Sequence, residues 1–251
     1  MTSNKLASTK DTITDELSAQ ILGLTEQHIH YFKQNTPTAV KQSAEVKTVG
    51  IHQLMLEDFQ ALVSDAAKAD ITIKIASGFR SFERQLQIWN NKFLGITPIK
   101  NNKGESINIT KLNDFEIIEA ILLFSALPGA SRHHWGCDID IYAPNLLGDS
   151  ALQLEPWEYE SSGPLAKLSD WLKKHAKRYG FYFPYDTYRG GIAAEPWHLS
   201  YAPLAKQYQS KMSINLLHEL LLQTDIAGKE VIIENLPNIY QRFISNVNDM
   251  H

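Results

Sequence analysis

The sequence contains a single cysteine, Cys137, in a chain of 251 residues. One thiol cannot close a disulfide within the chain, and it cannot build a cysteine-rich zinc site. Any metal ion would therefore be held mainly by histidine, aspartate or glutamate. A basic excess is also absent, because 24 Lys and Arg residues stand against 28 Asp and Glu residues. We expect no nucleic-acid partner, since binding to phosphates relies on a positive surface.

Long apolar runs are absent as well. A helix needs about 20 consecutive apolar residues to span a bilayer, whereas the longest apolar stretch, residues 120–130, is interrupted by serine, proline and glycine. The start of the chain is rich in charged and hydroxyl side chains and has no apolar segment of the kind found in secretory signals. As written, the chain is expected to be cytoplasmic and to lack a membrane span. The same sequence would be periplasmic if an export signal had been removed from it.

Alternating and helical patterns do occur, and they predict the fold class. Apolar and polar residues alternate over 71–77 and 137–142, which is typical of half-buried strands. Ser81 is a suitable N-cap for one amphipathic helix, and Asn113 begins a capping box for another. Strands and helices do not follow the regular βαβ order of a parallel sheet. We therefore predict an α+β fold in which helices flank a small, mostly antiparallel sheet.

Composition divides the chain into three segments. Residues 1–48 are polar and include a stretch rich in threonine, proline and lysine, so they are predicted as an N-terminal arm that carries no chemistry. Residues 49–205 contain the strand and helix patterns, beginning with a helical pattern over 51–67, and are predicted as the main domain. Residues 206–251 contain two further amphipathic patterns and are predicted as a C-terminal helical extension.

Candidate metal ligands lie around the second predicted strand and near the end of the main domain. His133 comes just before that strand, and both Asp138 and Asp140 lie on its polar face. An imidazole with either carboxylate suits Zn²⁺, which at catalytic sites normally has three protein ligands and an open position for water. His198 is available as a third ligand, and Glu195, three residues earlier, is of the type that accepts a proton from such a water. The residues alone leave open which aspartate takes part.

Three sequence blocks carry a family resemblance. They are SGFRSFERQ at 77–85, SRHHWGCDID at 131–140 and EPWH at 195–198. In this order they resemble the patterns S-G-[YF]-R-S-x-x-x-Q, S-x-H-x-x-G-x-x-x-D and E-x-W-H of the zinc D-alanyl-D-alanine carboxypeptidases and dipeptidases, the VanY, VanX and LAS group of peptidase family M15. The resemblance covers residues 70–202. The tripeptide EPW alone is not specific, because it recurs at 155–157 with no histidine after it.

The resemblance implies a zinc peptidase core of the LAS and hedgehog-like type in residues 49–205, with one Zn²⁺ ion and a small peptide or muropeptide as substrate. It implies hydrolysis of a D-Ala-containing peptidoglycan peptide by attack of zinc-bound water, with Glu195 as the base. Among the activities of the family we expect that of a D-alanyl-D-alanine carboxypeptidase. Cleavage of an L,D bond, of a free dipeptide or of an internal bond stays open. Neither the residues nor the resemblance indicates an oligomeric state.

The resemblance also implies a role for each matching residue at the metal. His133, Asp140 and His198 would bind the zinc ion. The family pattern thus favours Asp140 over Asp138 as the ligand. Glu195 would be the catalytic base and would not bind the metal itself.

Three further residues match the family on the substrate side. The resemblance implies that Arg80 stabilises the anionic intermediate and contacts the substrate. A guanidinium suits this role because it is always charged and presents planar donors to carboxyl-like oxygens. Gln85 and Ser131 match the patterns as substrate-binding or supporting positions.

Two alternative functions remain open at this point. A non-catalytic zinc-binding module could have the same fold, although such a module would need neither Glu195 nor Arg80. A cysteine hydrolase could use Cys137 with His133 or His134. Strand alternation, however, places Cys137 on the apolar face, where a small buried side chain is the ordinary explanation.

Overall fold

The computed structural model describes residues 15–37, 44–102 and 104–248. Its strands are β1 (Ile29–Pro37), β2 (Ala44–His52), β3 (Lys74–Ser77), β4 (Asp138–Tyr142), β5 (Phe181–Tyr182) and β6 (His198–Tyr201). Its α-helices are α1 (Glu16–Ile21), α2 (Leu56–Ala67), α3 (Phe82–Phe93), α4 (Asp114–Leu122), α5 (Pro144–Leu147), α6 (Pro156–Tyr159), α7 (Ala166–His175), α8 (Ala202–Lys211), α9 (Ile214–Gln223) and α10 (Lys229–Ile239). Short 3-10 segments (Gln53–Met55, Ile109–Lys111, Arg132–Trp135 and Ala176–Tyr179) and a π-helical turn (Tyr240–Ile244) join or extend these elements.

The centre of the fold is a four-stranded antiparallel sheet with the strand order β3-β4-β6-β5. In this sheet Asp140 of β4 is opposite His198 of β6, and on its other side it is opposite Ser77 at the end of β3. Both isoleucines of β4 are fully buried in the hydrophobic core, so the two aspartates of this strand share the other face. The observed architecture confirms the predicted α+β class, with a small antiparallel sheet flanked by helices.

Local signals predicted several element boundaries. Ser81 caps α3, because its hydroxyl accepts a hydrogen bond from the backbone N–H of Arg84 at 3.2 Å. Asn113 and Glu116 form the predicted capping box at the start of α4. The first predicted strand is shorter than expected, since β3 pairs with β4 only from Lys74 onward.

A β-hairpin that the sequence patterns did not indicate precedes the central sheet. Its strands β1 and β2 pair antiparallel along their whole length. The helical pattern expected from Ile51 was wrong at its start, since Ile51 and His52 belong to β2 and helix α2 begins at Leu56. Pairing with β1 overrides the local helical pattern at these two residues. The rest of the predicted arm, residues 1–14 and 38–43, lies outside the described part of the chain.

The hairpin covers the outer edge of β3. The side-chain amide of Gln34 donates to the carbonyl of Ile75 and accepts a hydrogen bond from the N–H of the same residue at 3.2 Å. Lys47 donates to the next carbonyl of β3. Beyond the strand, the N–H of Phe79 donates to the carbonyl of Gly50 at 2.7 Å. These hairpin groups satisfy backbone donors and acceptors that would otherwise be unpaired.

The segment after β6 is helical and packs on the rest of the molecule. Helix α8, which the sequence patterns did not indicate, directly follows β6, and α9 and α10 match the two predicted amphipathic patterns. Leu217 and Leu236 of these last helices belong to the same hydrophobic core as β4. The indole N–H of Trp89 in α3 donates to the carbonyl of Ala227 at 3.1 Å. In the described ranges we find no helix with the length and apolar character that a membrane crossing requires.

Candidate metal centre

A cavity of about 430 Å³ lies beside β4 and β6. Residues from all three sequence blocks line it. They include Arg80, Ser131, His133, Asp140, Glu195 and His198. The fold therefore brings together side chains that are more than one hundred residues apart in the sequence.

Strands β4 and β6 hold two of the candidate ligands side by side. Asp140 and His198 are register partners, so their side chains leave the sheet on the same face. The Nδ1 atom of His198 lies 3.1 Å from the Oδ1 atom of Asp140. Both side chains are buried, which removes them from the water that would otherwise solvate them.

His133 reaches the same point from the short 3-10 helix Arg132–Trp135. Gly136 ends that helix with a φ of 69°, a left-handed conformation that lets β4 begin almost at once. The Nε2 atom of His133 lies 3.3 Å from Oδ2 of Asp140, and its Nδ1 atom lies 3.0 Å from the carbonyl oxygen of Gly78. Because a carbonyl can only accept, Nδ1 donates to Gly78, and Nε2 is the nitrogen that faces Asp140.

These three side chains fit a metal ion by position and by chemistry. One possible ligand atom from each of His133, Asp140 and His198 lies within 4.8 Å of the other two. Asp140 Oδ1 and His198 Nδ1 are buried and form no hydrogen bond with the described residues. Unpaired buried polar atoms are costly, and a cation bound to both would remove that cost. Two imidazoles and one carboxylate are a donor set that suits Zn²⁺.

Asp138 lies on the other side of the His198 ring. The Nε2 atom of His198 is 2.9 Å from Oδ1 of Asp138 and donates to it. Arg132 Nε donates to the same oxygen at 2.7 Å, and the hydroxyl of Ser200 donates to Oδ2 at 2.9 Å. The structure thus groups Asp140 with the two histidines and places Asp138 where it orients one of their rings.

The carboxylates around His198 determine its charge. Burial disfavours the imidazolium, but the hydrogen bond to Asp138 and the nearby negative charge of Asp140 raise the pKa of His198 well above its usual value. Burial likewise opposes ionisation of Asp140, but the neighbouring His133 and His198 hold the pKa of this carboxyl below its usual range. A proton and a metal ion compete for the same imidazole lone pair. Metal binding at this cluster should therefore weaken at low pH.

A tight turn brings Glu195 beside His198. Pro196 occupies the second position of the turn, which suits its fixed φ, and the N–H of His198 donates to the carbonyl of Glu195 at 3.0 Å. Oε2 of Glu195 lies 3.4 Å from Nδ1 of His198. Burial raises the pKa of Glu195. A carboxylate of raised pKa beside a metal cluster has the properties of a general base.

Arg80 follows the end of β3 and is fixed in place by two segments. Its guanidinium donates to Gln85 Oε1 at 2.8 Å and to the hydroxyl of Ser77 at 3.0 Å. Its backbone carbonyl accepts a hydrogen bond from Nδ1 of His134 at 2.6 Å, and its N–H donates to the carbonyl of His133 at 3.0 Å. The first and second sequence blocks therefore hold each other in position. Arg80 lines the cavity, and its guanidinium has N–H donors beyond these two bonds.

Gln85 and Ser131 occupy different positions relative to the cavity. Ser131 is buried and lines it. Gln85 is completely buried behind Arg80, and within the described chain it is not a lining residue. Its amide Nε2 donates to the carbonyl of Ala126 at 2.6 Å, while its Oε1 accepts from Arg80. The structure therefore places Gln85 as a support for the guanidinium.

Tyr185 and Lys92 are among the cavity residues that were not identified from the sequence. Tyr185 is buried and contacts the His198 ring edge-on, with ring centroids 4.9 Å apart. No local pattern indicates it. Lys92 also lines the cavity. The spacing in the sequence could have indicated Lys92, because a residue seven positions after Gln85 projects from a similar side of α3.

Cys137 does not take part in the site. It is completely buried, and burial raises the pKa of its thiol well above the usual value. A reactive cysteine needs a low pKa and access to substrate. These properties argue against the cysteine hydrolase.

A donor set of two imidazoles and one carboxylate beside a buried glutamate is of the kind found at hydrolytic zinc sites. A family model described as "VanY: D-alanyl-D-alanine carboxypeptidase" matches residues 48–204, which is more than half of the chain. The chain therefore belongs to the VanY family of D-alanyl-D-alanine carboxypeptidases, as the sequence blocks predicted.

Similar proteins occur among sequences and solved structures. Two relatives from Haemophilus influenzae are described as uncharacterized proteins. One is 36% identical over 121 residues, which cover 47% of this chain and 92% of the relative. The other is 37% identical over 93 residues, which cover 37% of this chain and 60% of the relative. Solved structures include VanYB in complex with D-alanine-D-alanine (24% identity, TM-score 0.44, 68% of this chain and 83% of that chain). The LdcB LD-carboxypeptidase is also similar (18% identity, TM-score 0.48, 77% of each chain).

Proposed function

We propose that the protein is a zinc-dependent peptidase that acts on a D-Ala-containing peptidoglycan peptide, in the first place as a D-alanyl-D-alanine carboxypeptidase. One observation carries the proposal. Two unpaired buried ligand atoms, on Asp140 and His198, face each other, and the Glu195 carboxylate lies 3.4 Å from the second. A module that only binds zinc would use the ligand atoms but would have no use for the glutamate. Membership of the VanY family supports the peptide substrate.

The residues that would hold one zinc ion are His133, Asp140 and His198. When bound, zinc supplies a Lewis acid that polarises a carbonyl and lowers the pKa of a water molecule. The chain holds the two imidazoles through their other nitrogens, by Asp138 and by the carbonyl of Gly78. Such partners fix the tautomer and the orientation of a ligand ring.

Glu195 is the residue that would accept the proton from the attacking water. Its carboxyl is buried at the cavity wall, and burial raises its pKa, so it is a stronger base than an exposed carboxylate. After the proton transfer, the same carboxyl can donate a proton to the leaving amine. Glu195 would thus act first as base and then as acid within one turnover.

Arg80 would stabilise the negative charge that develops on the carbonyl oxygen. Arg80→Lys keeps the positive charge but loses the planar fork held by Gln85 and Ser77. We expect kcat to fall by about 10- to 100-fold while KM changes much less. Steady-state kinetics will check this, with Arg84→Lys, an exposed arginine of the following helix α3, as the matched control. A change confined to KM would place Arg80 on the ground-state substrate instead.

The proposed function is tested by incubating the zinc-loaded protein with a panel of muropeptides and analysing the products by mass spectrometry. The expected product is a peptide shorter by one C-terminal alanine. A chelator should stop the reaction, added zinc should restore it, and a thiol alkylator should have no effect. Zinc binding without hydrolysis of any peptide in the panel would instead support the non-catalytic module.

A further inference from the structure

A lysine at the cavity has a cationic head that the proposed mechanism does not use. Lys92 lies in the last turn of α3 and lines the same cavity as Arg80 and Glu195. Its Nζ donates to the hydroxyl of Ser125 at 2.6 Å. Within the described ranges Lys92 forms no ion pair within 4 Å; its hydrogen-bond partner is the neutral hydroxyl of Ser125, and the charge of Glu195 acts on it from a longer distance.

The other cations of the cavity wall are neutralised by ion pairs. These pairs join Lys100 to Glu155 at 2.6 Å and Arg132 to Asp138 at 2.7 Å. Two cationic side chains, Arg80 and Lys92, then remain against two carboxylates, those of Asp140 and Glu195. A divalent ion at the cluster would leave the cavity with two surplus positive charges. A substrate that brings one free carboxylate would offset one of these two charges.

Environment and position make Lys92 a better candidate for the carboxylate than for the reacting oxygen. Burial lowers the pKa of Lys92, and the nearby charge of Arg80 lowers it further. A half-buried ammonium whose hydrogen-bond partner is a neutral hydroxyl, with no ion pair within 4 Å, gains from an incoming anion. Arg80, in contrast, is tied to the metal-ligand segment through the carbonyl of His133.

We propose that Lys92 and the hydroxyl of Ser125 form an anion subsite that binds the free C-terminal carboxylate of the peptide substrate. This inference rests on the proposed function and sharpens it, because a subsite for the terminal carboxylate selects carboxypeptidase cleavage over cleavage of an internal bond. Arg80 then has the separate role of stabilising the negative charge that develops on the oxygen of the scissile carbonyl.

Three peptides test the subsite. The first ends in D-Ala-D-Ala with a free carboxylate and has no other acidic group. The second is its C-terminal carboxamide. The third is a carboxamide that has a glutamate side chain in the body of the peptide. They are compared on the zinc-loaded wild type, Lys92→Met, Lys92→Arg and Lys100→Met, the last a matched control because Lys100 lines the same cavity but already has a carboxylate partner.

We expect Lys92→Met to raise KM for the free acid by about 10- to 100-fold, since a charge-assisted hydrogen bond is lost. Its kcat for the acid and its kinetics on both carboxamides should stay close to wild type. Lys92→Arg should retain most of the preference for the acid, and Lys100→Met all of it. If Lys92→Met lowered kcat/KM equally for the acid and the carboxamide, or did not lower it for the acid, the subsite would be refuted. A loss on the third peptide would reassign Lys92 to a side-chain carboxylate.

Binding measurements separate this inference from the proposed function. Calorimetric titration of the acid and the carboxamide into Glu195→Gln, with and without Lys92→Met, measures recognition when no turnover takes place. The lysine change should weaken acid binding by about 10-fold or more and leave carboxamide binding unchanged. If the wild type hydrolysed neither peptide and this difference persisted, the proposed function would fail and the subsite would stand. Absence of the difference would refute the subsite even in an active enzyme.

Discussion

Glu195→Gln is expected to lose hydrolytic activity by about 10²- to 10⁴-fold, the usual contribution of general-base catalysis, while it keeps its fold and its zinc. Glutamine preserves the size of the side chain but cannot accept the proton. The carboxylate is not needed to hold the ring of His198, because Asp138 does so through the opposite nitrogen. The expected phenotype is therefore a metal-loaded, folded and inactive protein.

The measurement is zinc content by elemental analysis beside turnover of a D-Ala-D-Ala peptide on the same sample. Glu155→Gln is a matched control, since Glu155 begins the other Glu-Pro-Trp tripeptide and lines the same cavity but pairs with Lys100. This control should keep near wild-type activity. Turnover by the Glu195 variant at a near wild-type rate would show that another group takes the proton. Loss of its zinc would make Glu195 a ligand and would change the proposed ligand set.

Replacement of any one of His133, Asp140 and His198 by alanine is expected to remove most of the bound zinc. Each contributes one of three ligand atoms that lie within 4.8 Å of one another, and two ligands do not make a stable zinc site. Competition with a chromophoric chelator measures the affinity directly. Activity should fall in parallel with zinc occupancy.

Asp138→Asn is the informative comparison for these ligand variants. Its carboxylate orients His198 without facing the cluster, so the substitution should weaken zinc binding by about 10- to 100-fold, which is less than the loss of a ligand. Full zinc occupancy in His198→Ala would refute the assignment. If Asp140→Ala kept its zinc and Asp138→Asn lost all of it, the carboxylate ligand would be Asp138 and not Asp140.

Short-range spacing explains why much of the site could be predicted from the sequence. His133 and Asp140 are separated by one tight turn, and Glu195 and His198 by another, so each pair is nearly fixed once its turn forms. The choice between Asp138 and Asp140 could not be made from the residues alone. His198 lies between the two carboxylates, and only the pairing of β4 with β6 determines which nitrogen faces which.

Contacts between distant segments account for what the sequence did not reveal. The partner of Lys92 is Ser125, beyond the end of another helix, and no local pattern links these two residues. The hairpin was missed because four of the seven β1 residues whose burial is described are exposed to solvent, so its apolar alternation is weak. Its stability comes from pairing between β1 and β2, which a local window does not contain.

The covered edge of β3 bears on how the protein avoids self-association. An outer strand with free backbone groups is a template for pairing with another chain, and such pairing leads to aggregation. Here Gln34 takes both hydrogen-bonding groups of Ile75, much as a neighbouring strand would. The stretch that matches the family begins at residue 48, inside β2, and excludes β1 with its glutamine. A chain shortened to that stretch would present an open strand edge next to Ser77 and Arg80. The hairpin thus protects the catalytic sheet against intermolecular strand pairing.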